Sequence, residues 1–296
     1  MKNESLKNPA EKDSRAGGFA ADASNRGSWK AGKSFLLFIL AFLYIVPVIV
    51  LFLTSFKTQI QIMEKGFGWF FMPTLMNYSN VLLEQGFLRY MTNSLIVGLA
   101  STFFTLLIGG FASYALVRFN FFGKGTISLG TLLLRMIPPA VLVVPIYVLW
   151  SYFGLADTLL GLVVIYVGLN LPFTIWVLIS FIADVPVELE EAAVVDGCGP
   201  WKIFFTIILP LIKPGLAAAA IFTFRIAWNE FILALVLTNR VTRTLPVATT
   251  IYLTDTGVEW GNITAMGTLV ALPAIIFTFL AAKQLIAGLT AGAVKG

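Results

Sequence analysis

The chain has 296 residues, of which 58% are hydrophobic and 12% charged, with a formal net charge of +5 and a mean hydropathy of +0.89. A soluble globular domain runs at about 45–50% apolar and about 25% charged, so lipid is part of this chain's solvent, which excludes a soluble enzyme, a DNA-binding domain and a disordered linker. One cysteine, Cys198, and no histidine exclude an internal disulfide, a multi-cysteine metal site and the commonest general base.

Residues 1–33 are polar and rich in Gly, Ala, Ser and Lys, which predicts a flexible tail. The tail is too long for a signal peptide and no small-residue cleavage site follows, so the apolar stretch behind it is an uncleaved anchor. Gly27-Ser28-Trp29-Lys30-Ala31-Gly32-Lys33-Ser34 fits the pattern of a phosphate-binding loop. Such a loop works only between a buried strand and a helix. Residues 20–26 cannot form that strand, and the helix that follows is a membrane span. The stretch reads instead as a juxtamembrane segment, with Lys30 and Lys33 at the lipid headgroups.

Six apolar segments reach the length of a bilayer span, about 20 residues: 35–56, 93–116, 127–150, 159–182, 215–237 and 263–285. They are continuous rather than alternating, which predicts helices and not a barrel. The expected fold class is an all-α, polytopic membrane protein with six transmembrane helices. An even number places both termini on one side, and Lys and Arg decide which. Lys2, Lys7, Lys12, Arg15, Arg26, Lys30, Lys33, Arg118, Lys124, Lys202, Lys213, Lys283 and Lys295 fall on that side. Lys57, Lys65, Arg89, Arg240 and Arg243 fall on the other, with Arg135 and Arg225 inside spans. The richer side is therefore predicted to be cytoplasmic, and the basicity needs no nucleic-acid partner.

The stretch 57–92, with Trp69, Phe70, Phe71 and Tyr78, has the length for an interfacial helix and a docking surface on the outer side. So does 238–262, with Arg243-Thr244-Leu245-Pro246 and Trp260. The third span carries Arg135, read as part of an ion pair within the bundle or as snorkelling, and the pair Pro138 and Pro139, a candidate hinge. An ionisable residue in a span costs about 2.5–3.5 kcal/mol on insertion scales, so it is a functional candidate by default. The fifth span has two, Arg225 and Glu230, beside Trp228 and Asn229. Arg225 lies roughly 15 Å from the span's start, and Glu230 is turned by about 140° from it. These four are candidates for a translocation path or gate.

The loop 186–210 is the most informative stretch. Pro186 and the acids Glu188, Glu190 and Glu191 suit a helix start. Gly197, Gly199 and Pro200 break that helix, and a second short helix stops near Pro210. The acids would be repelled by an anionic leaflet, which favours a protein partner. The order Glu191-Ala192-Ala193, three residues, Gly197, nine residues, Ile207-x-Leu209-Pro210 resembles the EAA loop of ABC-importer permeases. The resemblance extends over nearly the whole chain after residue 33, and is to the MalG-like subunit of maltose-type carbohydrate importers. It is carried by Asn93-Ser94-Leu95, Ser113-Tyr114-Ala115-Leu116-Val117-Arg118-Phe119, Arg135-Met136-Ile137-Pro138-Pro139, Trp228-Asn229-Glu230-Phe231 and the end 288–296.

The resemblance implies a type I importer permease fold and an inner-membrane location. It implies that Glu190, Glu191, Ala192, Ala193, Asp196, Gly197, Ile207, Leu209 and Pro210 couple the chain to an ATP-binding subunit. It implies that Gly292, Lys295 and Gly296 run along the interface of the two ATPases. Cys198 stands where the family commonly has Ala. The implied partners are a second homologous permease subunit, two ATP-binding subunits, a periplasmic or lipid-anchored solute-binding protein and a carbohydrate. ATP and Mg would sit on the partner subunits, with no cofactor or metal in this chain and no ATPase activity of its own. Asn229 and Trp228 would then offer an amide and an indole to sugar hydroxyls and faces. The expected organisation is a cytoplasmic tail 1–33, a six-helix domain 34–286 with coupling loop 186–210, and a cytoplasmic tail 287–296. Half of an ion-driven secondary transporter, a channel subunit or a membrane scaffold would explain neither the acidic loop nor the Lys295-Gly296 end.

Overall fold

The computed structural model describes residues 33–64, 68–84, 86–255 and 257–293, the last stretch by its backbone alone from residue 280. The expected tail, the phosphate-loop-like stretch up to Gly32, and Lys295 and Gly296 lie outside the described residues. The chain divides into two units, Met1–Leu53 and Thr54–Gly296. The first holds all but the last residue of α1 (Lys33–Thr54), an apolar helix of spanning length.

The second unit opens with α2 (Gln59–Met63). Thr58 and Gln61 cap it reciprocally, each side chain accepting the other's backbone N–H at 3.3 and 3.0 Å, which satisfies donors the first turn leaves orphaned. Then comes α3 (Met76–Ser79), continued by a wide turn over Asn80–Glu84. The buried Asn77 amide donates to the carbonyls of Ser55 and Lys57, both at 2.8 Å.

Helix α4 (Phe87–Arg118) has 32 residues, about 48 Å at 1.5 Å per residue, so it overruns a 30 Å hydrocarbon core. Over its middle turns the buried face is small and polar: Gly98, Ser101, Thr102, Thr105, Gly109, Gly110 and Ser113. Lipid gives helices no hydrophobic reason to associate, so small residues that permit close approach hold them together. A Cβ on Gly109 would meet Thr174 at 2.8 Å, and one on Gly98 would meet Phe224 at 2.9 Å. Those contacts seat α4 against α7 (Leu159–Ala183) and α10 (Lys213–Asn229). Thr174 and Thr223 share a buried hydroxyl hydrogen bond of 3.1 Å between α7 and α10.

Where the sequence predicts one helix over 127–150, the chain forms α5 (Lys124–Arg135) and α6 (Pro139–Tyr152), bent by 101°. Pro139 forces its predecessor out of the helical region, and Pro138 sits at ψ 133°; neither proline has an N–H to continue the ladder. The expected helix over 215–237 is also divided, into α10 and α11 (Ile232–Leu237), with Glu230 extended between them. Taken by length and composition, the described helices give four spans, or up to six if each sharply bent pair is one span.

Between α7 and α10 lie α8 (Glu188–Val195) and α9 (Pro200–Leu211), the latter bent by 78° from α10. After α11 come α12 (Leu245–Ala248) and a short antiparallel hairpin, β1 (Leu253–Thr254) and β2 (Gly257–Val258), pairing Leu253 with Val258. The last helix is α13 (Trp260–Ala293). Buried side chains among the described residues form three clusters along the bundle. One joins Phe87, Phe224, Trp228 and Met266. One joins Val97, Leu162, Tyr166 and Leu233. The third, joining Tyr114, Ile182, Ala193, Ile203 and Phe204, carries the loop.

Candidate functional site

The loop 186–210 folds as the helix–bend–helix its sequence predicts, and its bend has a specific cause. Gly197 has φ +78°, a conformation in which a Cβ would crowd the backbone. Its N–H bonds to Val194 O at 3.0 Å, and Cys198 N–H bonds to Ala193 O at 2.9 Å. This pair of bonds closes the end of α8 as a Schellman motif. Cys198 and Ala193 then share the buried cluster, the apolar contact that accompanies such an end. Proline at position 200 starts α9 where its missing N–H costs nothing.

A second group fixes the whole loop to the spans. Arg118, the last residue of α4, pairs through Nε with Glu190 of α8. Its Nη2 donates to Ile182 O at 3.1 Å and Val185 O at 2.7 Å, carbonyls at and just past the C-terminal end of α7. Tyr114 Oη donates to the other Glu190 oxygen at 2.8 Å. One guanidinium and one carboxylate thus tie the ends of two spans to the loop's first helix. The sequence reading grouped Glu190 with the residues that meet a partner; its carboxylate is instead buried and turned into its own chain. Three and four residues apart on a helix is one face, so Glu190 and Ala193 point inward together, while Glu191, Ala192, Val194, Val195 and Asp196 are exposed.

The exposed side of the loop is both apolar and acidic. Val194, Val195 and Trp201 lie open, as do Glu188, Glu191 and Asp196. Ile207 and Leu209 are half-buried and Pro210 is exposed, so these three shape the return to α10 rather than the tip. Phe111, Tyr114, Phe119, Pro200, Trp201 and Phe204 line an apolar pocket of about 260 Å³ beside the bend. Gly292 lies in the backbone-only part of α13.

The intramembrane candidates separate. Trp228 is 1% exposed, stacked on Phe224 at 5.5 Å and donating its indole N–H to Val270 O at 3.2 Å. It packs in the core of the bundle. Glu230 caps α11, accepting from Leu233 N at 2.8 Å and Ala234 N at 3.0 Å, and from Tyr166 Oη on α7 at 2.7 Å. Its charge compensates the break in the fifth span. The exposed Asn229 amide donates to Arg225 O at 2.8 Å. Arg225 is exposed, as are Arg135, Pro138 and Pro139. Sequence reasoning missed Tyr114, Arg118 and Tyr166 as site residues; for Tyr114 and Arg118 the signal was the Ser113–Phe119 motif.

On the other end of the bundle, two motif residues hold a loop. Asn93 Nδ2 donates to Val241 O at 2.9 Å and Arg243 O at 3.0 Å. Ser94 Oγ accepts from Leu245 N at 2.7 Å.

A bundle of apolar helices carrying a surface-exposed helix–bend–helix between two spans is the architecture of a polytopic, all-α membrane protein. Residues 105–290 match the family described as the binding-protein-dependent transport system inner membrane component. The chain belongs to that family, and is a multi-pass inner-membrane permease subunit of an ABC transporter. It is 38% identical over 256 residues to the diacetylchitobiose uptake system permease protein DasC of Streptomyces coelicolor, covering 85% of this chain and 92% of that protein. It is 34% identical over 282 residues to the sulfoquinovosyl glycerol transport system permease protein SmoH of Agrobacterium fabrum, covering 93% and 99%. It shares its fold with a chain of a bacterial ABC transporter that imports the acidic polysaccharide alginate, at a TM-score of 0.72 and 19% identity, covering 95% and 99%.

Proposed function

We propose that this subunit moves a carbohydrate, a disaccharide or oligosaccharide, into the cell by alternating access, and that the loop 186–210 couples it to ATP-binding subunits. The observation that carries this reading is the loop's construction: tied rigidly to the ends of α4 and α7 by Arg118 and Glu190, and open only at its tip. A rigid lever anchored on two spans transmits a displacement of its tip to both. The relatives named for diacetylchitobiose and sulfoquinovosyl glycerol support a saccharide as cargo.

ATP and Mg sit on the partner subunits, and this chain contributes no covalent chemistry. Closure of two ATP-binding subunits pulls the tip, with Glu191 offering a carboxylate and the exposed small residues Ala192 and Gly197 permitting close approach. Asp196 adds a second charge at the rim. Differential binding of the two states by ATP drives the change between inward- and outward-open forms. A second permease subunit completes the path, a solute-binding protein delivers the cargo from outside, and both termini face the cytoplasm. Gly292, Lys295 and Gly296 extend the ATPase contact.

The test is uptake by the reconstituted importer in proteoliposomes. The reading expects uptake that requires enclosed ATP and ignores proton and sodium gradients. Uptake that persists without ATP under an ion gradient contradicts it.

A further inference from the structure

Four side chains from three helices form a continuous row on an open face of the bundle. Arg135, the last residue of α5, has its guanidinium carbon 4.4 Å from the centroid of the Phe173 ring on α7. Phe173 meets Phe222 of α10 edge to face, 5.6 Å between centroids at 74°. The guanidinium carbon of Arg225 lies 5.9 Å from the Phe222 centroid. Counted along α7 from Ala183 and along α10 from Lys213, Phe173, Phe222 and Arg225 stand roughly 14–18 Å in, at 1.5 Å per residue, and Arg135 meets them through Phe173. That depth is about half of a 30 Å hydrocarbon core.

Both arginines are exposed, and among the described residues neither pairs with a carboxylate. The nearest acid in sequence, Glu230, is taken up by Tyr166 and the start of α11. Two guanidinium groups facing lipid at this depth would be costly and would repel each other. A ring face offsets only part of that cost. The face is therefore not a lipid face, and the row lacks an anion. The chemistry it offers is one-sided. Guanidinium has five donors and no acceptor, and a guanidinium resting on a ring keeps its N–H edge for a bidentate carboxylate. A neutral sugar needs acceptors as well as donors; an anionic group needs donors only.

We propose that the row Arg135–Phe173–Phe222–Arg225 is this subunit's contact with its cargo, and that it takes the anionic group, a carboxylate or sulfonate, of an acidic saccharide passing mid-membrane. The proposal rests on the reading of this chain as a carbohydrate importer. Phe173 and Phe222 hold the two cations apart and present apolar surface to the sugar ring.

The test uses the complete importer in proteoliposomes and a panel of matched neutral and uronate-bearing oligosaccharides of two to five units. The readout is the ratio of anionic to neutral uptake, which a merely structural role does not move. The wild type is expected to favour the uronates. Arg135→Gln with Arg225→Gln should lower the ratio about tenfold, the scale of a lost charge-assisted pair, and Arg225→Lys, which keeps the charge but loses the bidentate edge, should fall between that variant and the wild type. Equal loss of both kinds of uptake overturns the proposal, since the row then pairs with a carboxylate of the second permease subunit. Uptake of neutral saccharides alone by the wild type overturns it too and leaves the importer reading intact. Uptake of no member of the panel contradicts the carbohydrate reading and the proposal together.

Discussion

Arg118 and Glu190 meet across 72 positions of sequence, with side chains only 13% and 11% exposed. A buried pair gains little over an apolar substitute, but removing one partner strands the other's charge, at about 3–5 kcal/mol. Arg118→Ala and Glu190→Ala are each expected to destabilise the chain by that amount. The double substitution should cost less than the sum, and thermal unfolding of the four proteins in detergent measures the difference. Tyr114→Phe removes one donor to the carboxylate and should cost roughly 1 kcal/mol.

Gly197 and Gly199 look equivalent in sequence and are not. Gly197 has φ +78°, whereas Gly199 has φ −76° and ψ 163°, a backbone open to any residue. Gly197→Ala should cost about 1–2 kcal/mol and misdirect α9. Gly199→Ala should be close to neutral, since nothing lies within 4 Å of its added Cβ. ATP-driven uptake by the two variants, normalised to permease in the membrane, checks the contrast.

The loop was legible because its signals are local: acids at a helix start, glycine at a turn, proline after it. Pro138 and Pro139 marked the place of the bend in the third span, but its 101° angle, which divides the expected single helix, was not legible. What a residue faces was not legible. In a membrane bundle the core side and the lipid side of a helix are both apolar, so hydrophobicity does not say that Trp228 packs inward. Glu190 and Glu191 are neighbours of one type, and only the phase of α8 against α4 turns the first inward. Glu230 read as a site charge because its cap role depends on a break in the helix that no proline or glycine marks.

Glu230 anchors α11 through two backbone amides and Tyr166. Glu230→Ala should lower stability by about 1.5–3 kcal/mol, the range for bonds to a charged group. Tyr166→Phe should cost about 1 kcal/mol. Neither should alter which saccharides compete for uptake, and competition assays on the reconstituted importer decide this. A changed order of preference would return Glu230 to the path.

Asn93 donates to Val241 and Arg243 carbonyls, fixing the loop ahead of α12. Asn93→Ala should raise amide hydrogen exchange at residues 241–245 by about tenfold, the effect of ~1.4 kcal/mol of local opening. Exchange at the α8 end should stay unchanged, because the two lie in different clusters.

Coupling through the tip of α8 is the central claim, and Val195, 87% exposed, is its reporter. The measurement is photo-cross-linking from Val195→Cys, with Cys198→Ala as background, in the complete importer in native membranes. The account predicts an adduct with the ATP-binding subunit and protection of that cysteine from a membrane-impermeant thiol reagent added outside. Labelling of Val195→Cys from outside, with no adduct to the ATP-binding subunit, would contradict it.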